Sequence, residues 1–167
     1  MCIRDRSNLD YFKIKKQKNA NKKLNLLAKL IGVDRSEFRS PDLDSGFNKY
    51  YAKDWNSAPL TSYAYLLEQL LTGKVLSEKS TQLLKKILIK VQTGKKRVRK
   101  GLAKNVYFGH KTGTQHRQAC DMGFAGFKED KKEKLLILVC TKGWTKLYQA
   151  EKVMSDIGRI VNKNKLF

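Results

Sequence analysis

Lys111-Thr112-Gly113-Thr114 is the stretch whose residue types could do chemistry together. The lysine supplies a positive charge, the threonines supply hydroxyl donors, and the glycine lets a bound molecule lie close against backbone. Val106-Tyr107-Phe108 precedes it, and aromatic and β-branched residues suit a half-buried strand. A strand ending this way would make an anion site on a sheet edge. There the N–H of Thr114 could point at a developing oxyanion. Arg97, Arg99 and Arg117 are candidates for bidentate contact with a substrate carboxylate. His110 adjoins Lys111 on the strand, so its side chain should face away from the site and be packed or solvent-facing rather than catalytic. His116 falls in a turn and receives no role.

The elements that must position these groups are legible in the patterning. Leu24, Leu27, Ala28, Leu30 and Ile31 make a helical stripe that Gly32 closes. Residues 33–56 read as a long loop, and loops of that length are often functional. Asn56-Ser57-Ala58-Pro59 starts a helix with Tyr63, Leu66, Leu67, Leu70 and Leu71 on one face and Gly73 at its end. Ser77 starts another, with Leu83, Leu84, Ile87, Leu88 and Val91 as its apolar side and Gly94 beyond it. Lys95 to Lys100 is a basic connector. Three strands follow, near 106–111, 122–127 and 135–141, with a charged hairpin tip at 128–133. Leu135 to Val139 is a continuous apolar run, so that strand should be covered on both faces. The last helix, 147–162, should bury Val153, Ile157, Ile160 and Val161. The fold class is therefore α+β: a helical part, then an antiparallel three-strand sheet with a C-terminal helix packed on it.

The sequence has 167 residues and is 41% hydrophobic, enough for a globular domain with its own core. No apolar run approaches a transmembrane segment in length. Net charge is +21, from 36 basic and 15 acidic residues. Such a balance attracts nucleic acid, anionic lipid or acidic polymer. The lysines are scattered rather than gathered on one face, which favours a lysine-filled surface over a binding footprint. Three cysteines make no framework. A Cys120–Cys140 disulfide is conceivable on neighbouring strands, and buried free thiols are the favoured reading. No spacing of cysteine and histidine suggests a metal, and no cofactor is implied.

His110-Lys111-Thr112-Gly113-Thr114 resembles the third signature of the serine penicillin-recognising hydrolases, in particular the class A β-lactamase branch. The resemblance extends to Gln92–Leu102, which leads into that strand, to Cys120–Ala125, the strand after it, and to Leu60–Leu76, the helix behind the omega loop. It implies that Lys111 holds a substrate carboxylate and tunes proton transfer. It also implies that Thr112, Gly113 and Thr114 line the substrate site, and that Arg97 is the first candidate for the carboxylate-binding arginine. Family catalysis needs a serine nucleophile in Ser-x-x-Lys, yet no serine here has a lysine three residues on. The sequence thus reads as the C-terminal portion of such a hydrolase, inactive as it stands. Ser7-Asn8 falls near the place of the second, Ser-Asp-Asn motif, with Leu9 where the asparagine would be, so Ser7 is a second catalytic candidate. In the omega-like loop 33–56, Ser40 stands where class A enzymes place the deacylating glutamate. Glu37, Asp42 and Asp44 could substitute, although turn capping is the favoured role for them. Tyr50, Tyr51 and Trp55 read as packing for that loop.

The division expected is a foreign scar at 1–6, a helical subdomain part at 7–92, and the sheet with its final helix at 93–167. The parent activity implied is acylation by a β-lactam or a D-Ala-D-Ala peptide of peptidoglycan, in a monomer in the periplasm or outside the cytoplasm. Nucleic acid has no part in that leading reading. The alternatives are a penicillin-binding D,D-peptidase and a non-catalytic basic module for acidic polymer or nucleic acid. Loss of the nucleophile-bearing helix should leave exposed apolar surface and marginal stability.

Overall fold

The computed structural model describes residues 13–14, 16–53, 57–129, 132–133, 135–164 and 166. Ser7, Asn8, Leu9, Trp55 and the 1–6 segment lie outside the described residues. By internal contacts the chain separates into two compact units, 1–57 and 58–167.

In the first unit, helix α1 spans Ala20–Ile31. Asn19 caps it by accepting from the Lys22 N–H at 3.1 Å. Gly32, at φ 74°, closes it through an N–H to the Ala28 carbonyl. Leu24 and Ala28 are its buried residues. The stretch 33–56, read as a loop, has structure of its own: a 3-10 turn at Arg35–Glu37 and helix α2 at Leu43–Tyr51. Each starts on an aspartate, Asp34 and Asp42, whose carboxylate takes up otherwise unpaired N–H groups. Phe47, Tyr50 and Tyr51 make ring contacts with one another along α2.

The second unit carries helices α3 (Leu60–Leu71), α4 (Glu78–Ile89) and the one-turn α5 (Val98–Gly101). Strands β1 (Val106–Gln115), β2 (Gln118–Phe127) and β3 (Leu135–Lys142) follow, and then helix α6 (Leu147–Lys163). The sheet is antiparallel in the order β1-β2-β3. β1 and β2 run further than their apolar patterns suggest. A two-residue turn at His116-Arg117 lets Gln115 pair with Gln118, so the ladder continues through polar residues. Both turn residues have positive φ, 36° and 57°.

One sheet face carries Val106, Phe108, Ala119, Ala125 and Ile137, which join Val98, Leu102, Ala150, Met154 and Val161 in the core. Phe124 is fully buried on the other face. Gly109 makes room for it, since a Cβ there would lie 2.4 Å from the Phe124 ring. Of β3's apolar run only Ile137 is buried, and its neighbours are half-covered.

Two helical stripes face differently from expectation. On α6 the buried set is Ala150, Met154, Ser155, Gly158 and Val161, while Val153 and Ile160 are exposed. Small residues face inward there because α5 crosses at backbone contact. A Cβ on Gly101 would stand 2.0 Å from the Ser155 carbonyl oxygen, and one on Gly158 2.4 Å from that of Val98. On α4 only Thr81 is buried, and Leu83 and Ile87 are exposed. The cysteines differ as well. Cys120 and Cys140 stand directly opposite on β2 and β3, with Cα atoms 4.1 Å apart, and form a disulfide. Neither is buried, so the free-thiol reading is overturned.

Candidate active site

The site is the open end of β1. Burial falls away along the strand, from Phe108, Gly109 and His110 to exposed Lys111, Gly113 and Thr114. β1 is an edge strand, so alternate N–H and C=O groups of this end point away from β2. Residue alternation splits its side chains: Thr112 and Thr114 leave on one face and Lys111 on the other.

Thr112 and Thr114 are held by the segment before α5. Thr93 Oγ1 and Thr112 Oγ1 are 2.9 Å apart. That approach needs Gly94: its φ is 71°, and a Cβ there would come within 2.5 Å of Thr112 Cγ2. Thr114 Oγ1 accepts a hydrogen bond from Arg97 Nη2.

Arg97 is 4% exposed, unlike a surface clamp. Its Nη1 donates to the carbonyls of Gly113 (3.1 Å) and Cys120 (2.7 Å), so the guanidinium ties β1, β2 and the segment ahead of α5 together. Its Nε, also buried, has no partner among the described residues. The two terminal nitrogens of the fork are therefore engaged with protein, and Thr114 Oγ1 is the polar atom through which Arg97 reaches the strand's exposed end. Arg99 donates to the Val106 carbonyl and bridges α5 to β1.

Lys111 is exposed, and its Nζ folds back to the Thr112 carbonyl at 2.5 Å. Neither described cavity lies beside it. One, near 500 Å³, sits where β3 meets α6, and the other is at the α5–α6 crossing.

Beneath Lys111 lies a pair that the sequence reading missed. His110 Nδ1 donates to Asp121 Oδ1 at 2.6 Å, with the two residues 3% and 0% exposed. Asp121 Oδ2 accepts from the Val98 N–H at 3.3 Å. One buried carboxylate thus fixes the strand that carries Lys111 and the turn that carries Arg97. The signal was an aspartate inside an otherwise apolar strand, since an acid is almost never fully buried unless paired.

In the omega-like stretch the candidate carboxylates Glu37 and Asp42 serve as caps. Glu37 Oε1 accepts from the Asp34 N–H at 3.1 Å. Asp42 accepts from the Ser45 N–H at 2.8 Å and from its hydroxyl at 2.9 Å. Those two bonds, the backbone one foremost, hold the Asp42 carboxyl below its ordinary value. The Ser36 hydroxyl and N–H do the same for Asp34. Asp44 lies in the first turn of α2.

A three-strand antiparallel sheet, an edge strand ending in Lys-Thr-Gly-Thr and a C-terminal helix across the sheet make up a β-lactamase-like α+β fold. Residues 17–164 match the model of the beta-lactamase enzyme family, and the chain belongs to that family, in its class A-like part. Among solved structures, it is similar to a variant of the last common ancestor of Gram-negative bacteria class A β-lactamase. The identity is 29% over 62% of this chain and 39% of that one, with a TM-score of 0.55. A putative class A β-lactamase, PenP from Rhodopseudomonas palustris, matches at 30% identity over 59% of this chain and 38% of that one, TM-score 0.53. PBP-A shares the fold over 86% of this chain and 56% of its own, at 17% identity and a TM-score of 0.55. No curated protein matches the chain. The chain spans about two fifths of the class A structures.

Proposed function

We propose that this chain carries the carboxylate-recognition edge of a serine hydrolase that is acylated by β-lactams or D-Ala-D-Ala peptides. The observation that carries the reading is the open end of β1, where Thr112 is half-buried and Gly113 and Thr114 are exposed beside a buried arginine. In this reading Thr112 and Thr114 donate hydroxyl hydrogen bonds to the substrate carboxylate. Lys111 adds the positive charge, and the Thr114 N–H supplies half of an oxyanion hole. Arg97 is a positioning residue: its field and its bond to Thr114 Oγ1 act on the carboxylate through the threonine. The His110–Asp121 pair sets the depth of the strand and of the Arg97 turn. The nucleophile and the other oxyanion N–H come from a Ser-x-x-Lys segment of the parent protein, and an exposed disulfide suits a periplasmic or secreted location. With Glu37 and Asp42 of the omega-like stretch capping turns, slow deacylation is favoured, as in a D,D-peptidase. A single-residue mutant of PBP-A, which shares the fold at 19% identity, has been captured as an acyl-enzyme with penicillin G.

The test is amide NMR of this chain titrated with benzylpenicillin. Thr112, Gly113 and Thr114 should shift saturably, and benzylpenicillin methyl ester, which lacks the carboxylate, should leave them still. Equal shifts with both, or none with either, would remove the carboxylate role. Nitrocefin should not be turned over by this chain, and recovery of the upstream coding sequence should show Ser-x-x-Lys.

A further inference from the structure

The crossing of α5 and α6 encloses a second concavity, of about 350 Å³. Lys96 and Lys100 line one side of it, and Lys152 and Arg159 line the side formed by α6. Arg159 is already paired with Asp156 on its own helix. Lys96, Lys100 and Lys152 have no ion-pair partner among the described residues. Glu151 is the one carboxylate in the lining, which leaves a surplus of positive charge facing a confined space. Ser155 also lines the cavity. It is 2% exposed, and its hydroxyl has no hydrogen-bond partner among the described residues. A buried hydroxyl without a partner and three unpaired ammonium groups are both satisfied by one kind of guest, an oxyanion.

Gly101 and Gly158 bring the helix backbones into contact. Asn162 clamps them by donating to the Gly101 carbonyl at 2.6 Å and accepting from the Ala103 N–H at 3.1 Å. Lys100, Lys152 and Arg159 therefore stand on packed helices, and Lys96 stands on the turn that leads into α5. The volume lies at the low end of small-molecule sites, roughly 300 Å³ upward, and exceeds what one bare oxyanion fills. Tyr148 adds an aromatic ring at the same cavity.

We propose that this cavity binds a compact, multiply charged phosphate compound of the diphosphate class. The inference rests on α5, α6 and the turn ahead of α5, and stands whether or not β1 serves a hydrolase.

The test is calorimetric titration of the chain with inorganic pyrophosphate at near-physiological salt. One saturable site is expected. Lys100→Gln with Lys152→Gln should weaken it about tenfold or more, as the loss of two charge-assisted contacts would. Lys79→Gln with Lys86→Gln on α4 removes the same charge elsewhere and should leave affinity unchanged. Ser155→Ala should weaken binding at an unchanged melting temperature, and Glu151→Gln should strengthen it. Absence of saturable binding, equal losses in the two lysine pairs, or no gain from Glu151→Gln would overturn the proposal. A second arm uses phosphatidylcholine vesicles doped with phosphatidic acid. Capture that pyrophosphate releases makes a lipid headgroup the source, and no capture makes it a free diphosphate. Capture indifferent to both pyrophosphate and the Lys100/Lys152 pair overturns the cavity as the site.

Discussion

Asp121 shows how one buried residue governs two segments of the site. Its carboxylate bonds His110 on β1 and the Val98 N–H beside Arg97, and it is fully enclosed. Asp121→Ala leaves a buried imidazole and an N–H without acceptors, so it should cost about 3–5 kcal/mol in urea unfolding. Asp121→Asn keeps an acceptor for one of them and should cost visibly less. A loss below about 1 kcal/mol for the alanine variant would remove the pair from the account. Gly94 makes a second case. With φ at 71° and Thr112 in the way of any Cβ, Gly94→Ala should displace Thr112 and cost about 1–3 kcal/mol. Heteronuclear NMR should show its largest shifts at Thr93 and Thr112. Of these residues the sequence disclosed the strand and its Lys-Thr-Gly-Thr end, because those are local in the chain. The Asp121–His110 pair depends on register, which alternation alone does not fix. The burial of Arg97 was illegible because residue type argues for a solvated charge.

At the scale of elements, the turn and the caps decide where things begin. His116 and Arg117 both occupy the left-handed region that a two-residue hairpin demands, where asparagine and glycine are the favoured residue types. The double substitution His116→Asn with Arg117→Gly should therefore stabilise the chain by about 0.5–1 kcal/mol without moving β1. Thermal unfolding tests this, and a fall in melting temperature would mean the two side chains hold contacts worth more than the backbone strain. Helix α2 depends on Asp42, whose carboxyl lies below its ordinary value of 3.8. A carboxyl depressed in the folded state contributes stability above its unfolded pKa and loses it as pH falls through the folded one. Acidification below pH 3.8 should therefore loosen residues 43–51 first, and Asp42→Asn should flatten that dependence in the amide signals of Ser45. The helix went unread because aromatic and polar residues at 43–51 give no clear apolar stripe, although its N-cap aspartate was visible. The stripes of α4 and α6 were legible as stripes. Which side of each meets the sheet was not, because periodicity shows that an apolar face exists and leaves open what covers it.

For the whole molecule, the balance between a modest core and an open surface sets the behaviour. Tyr65, Val75, Leu83, Ile87, Tyr148 and Ile160 are all about half exposed or more. The chain should accordingly bind the dye ANS in its folded state, and ANS-silent folded protein would contradict that. Against this openness the Cys120–Cys140 bond is a large contribution, joining strands across a separation of 20 residues. A closed loop of that length stabilises by about 3 kcal/mol in the chain-entropy model, against a total of roughly 5–15 kcal/mol for an ordinary domain. Composition could not reveal the link. It depends on Cys120 facing Cys140 in register, and a one-residue slip would send the thiols to opposite faces. The Cys120 carbonyl also accepts from Arg97, which in turn holds Gly113 and Thr114, so the cross-link and the open end of β1 share a frame. Reduction, or paired Cys120→Ser and Cys140→Ser, should lower the melting temperature and also broaden the amide signals of residues 112–114. If the melting temperature falls while those signals stay sharp, the bond supports the sheet alone and the frame of the site is held by Arg97 and Asp121 without it.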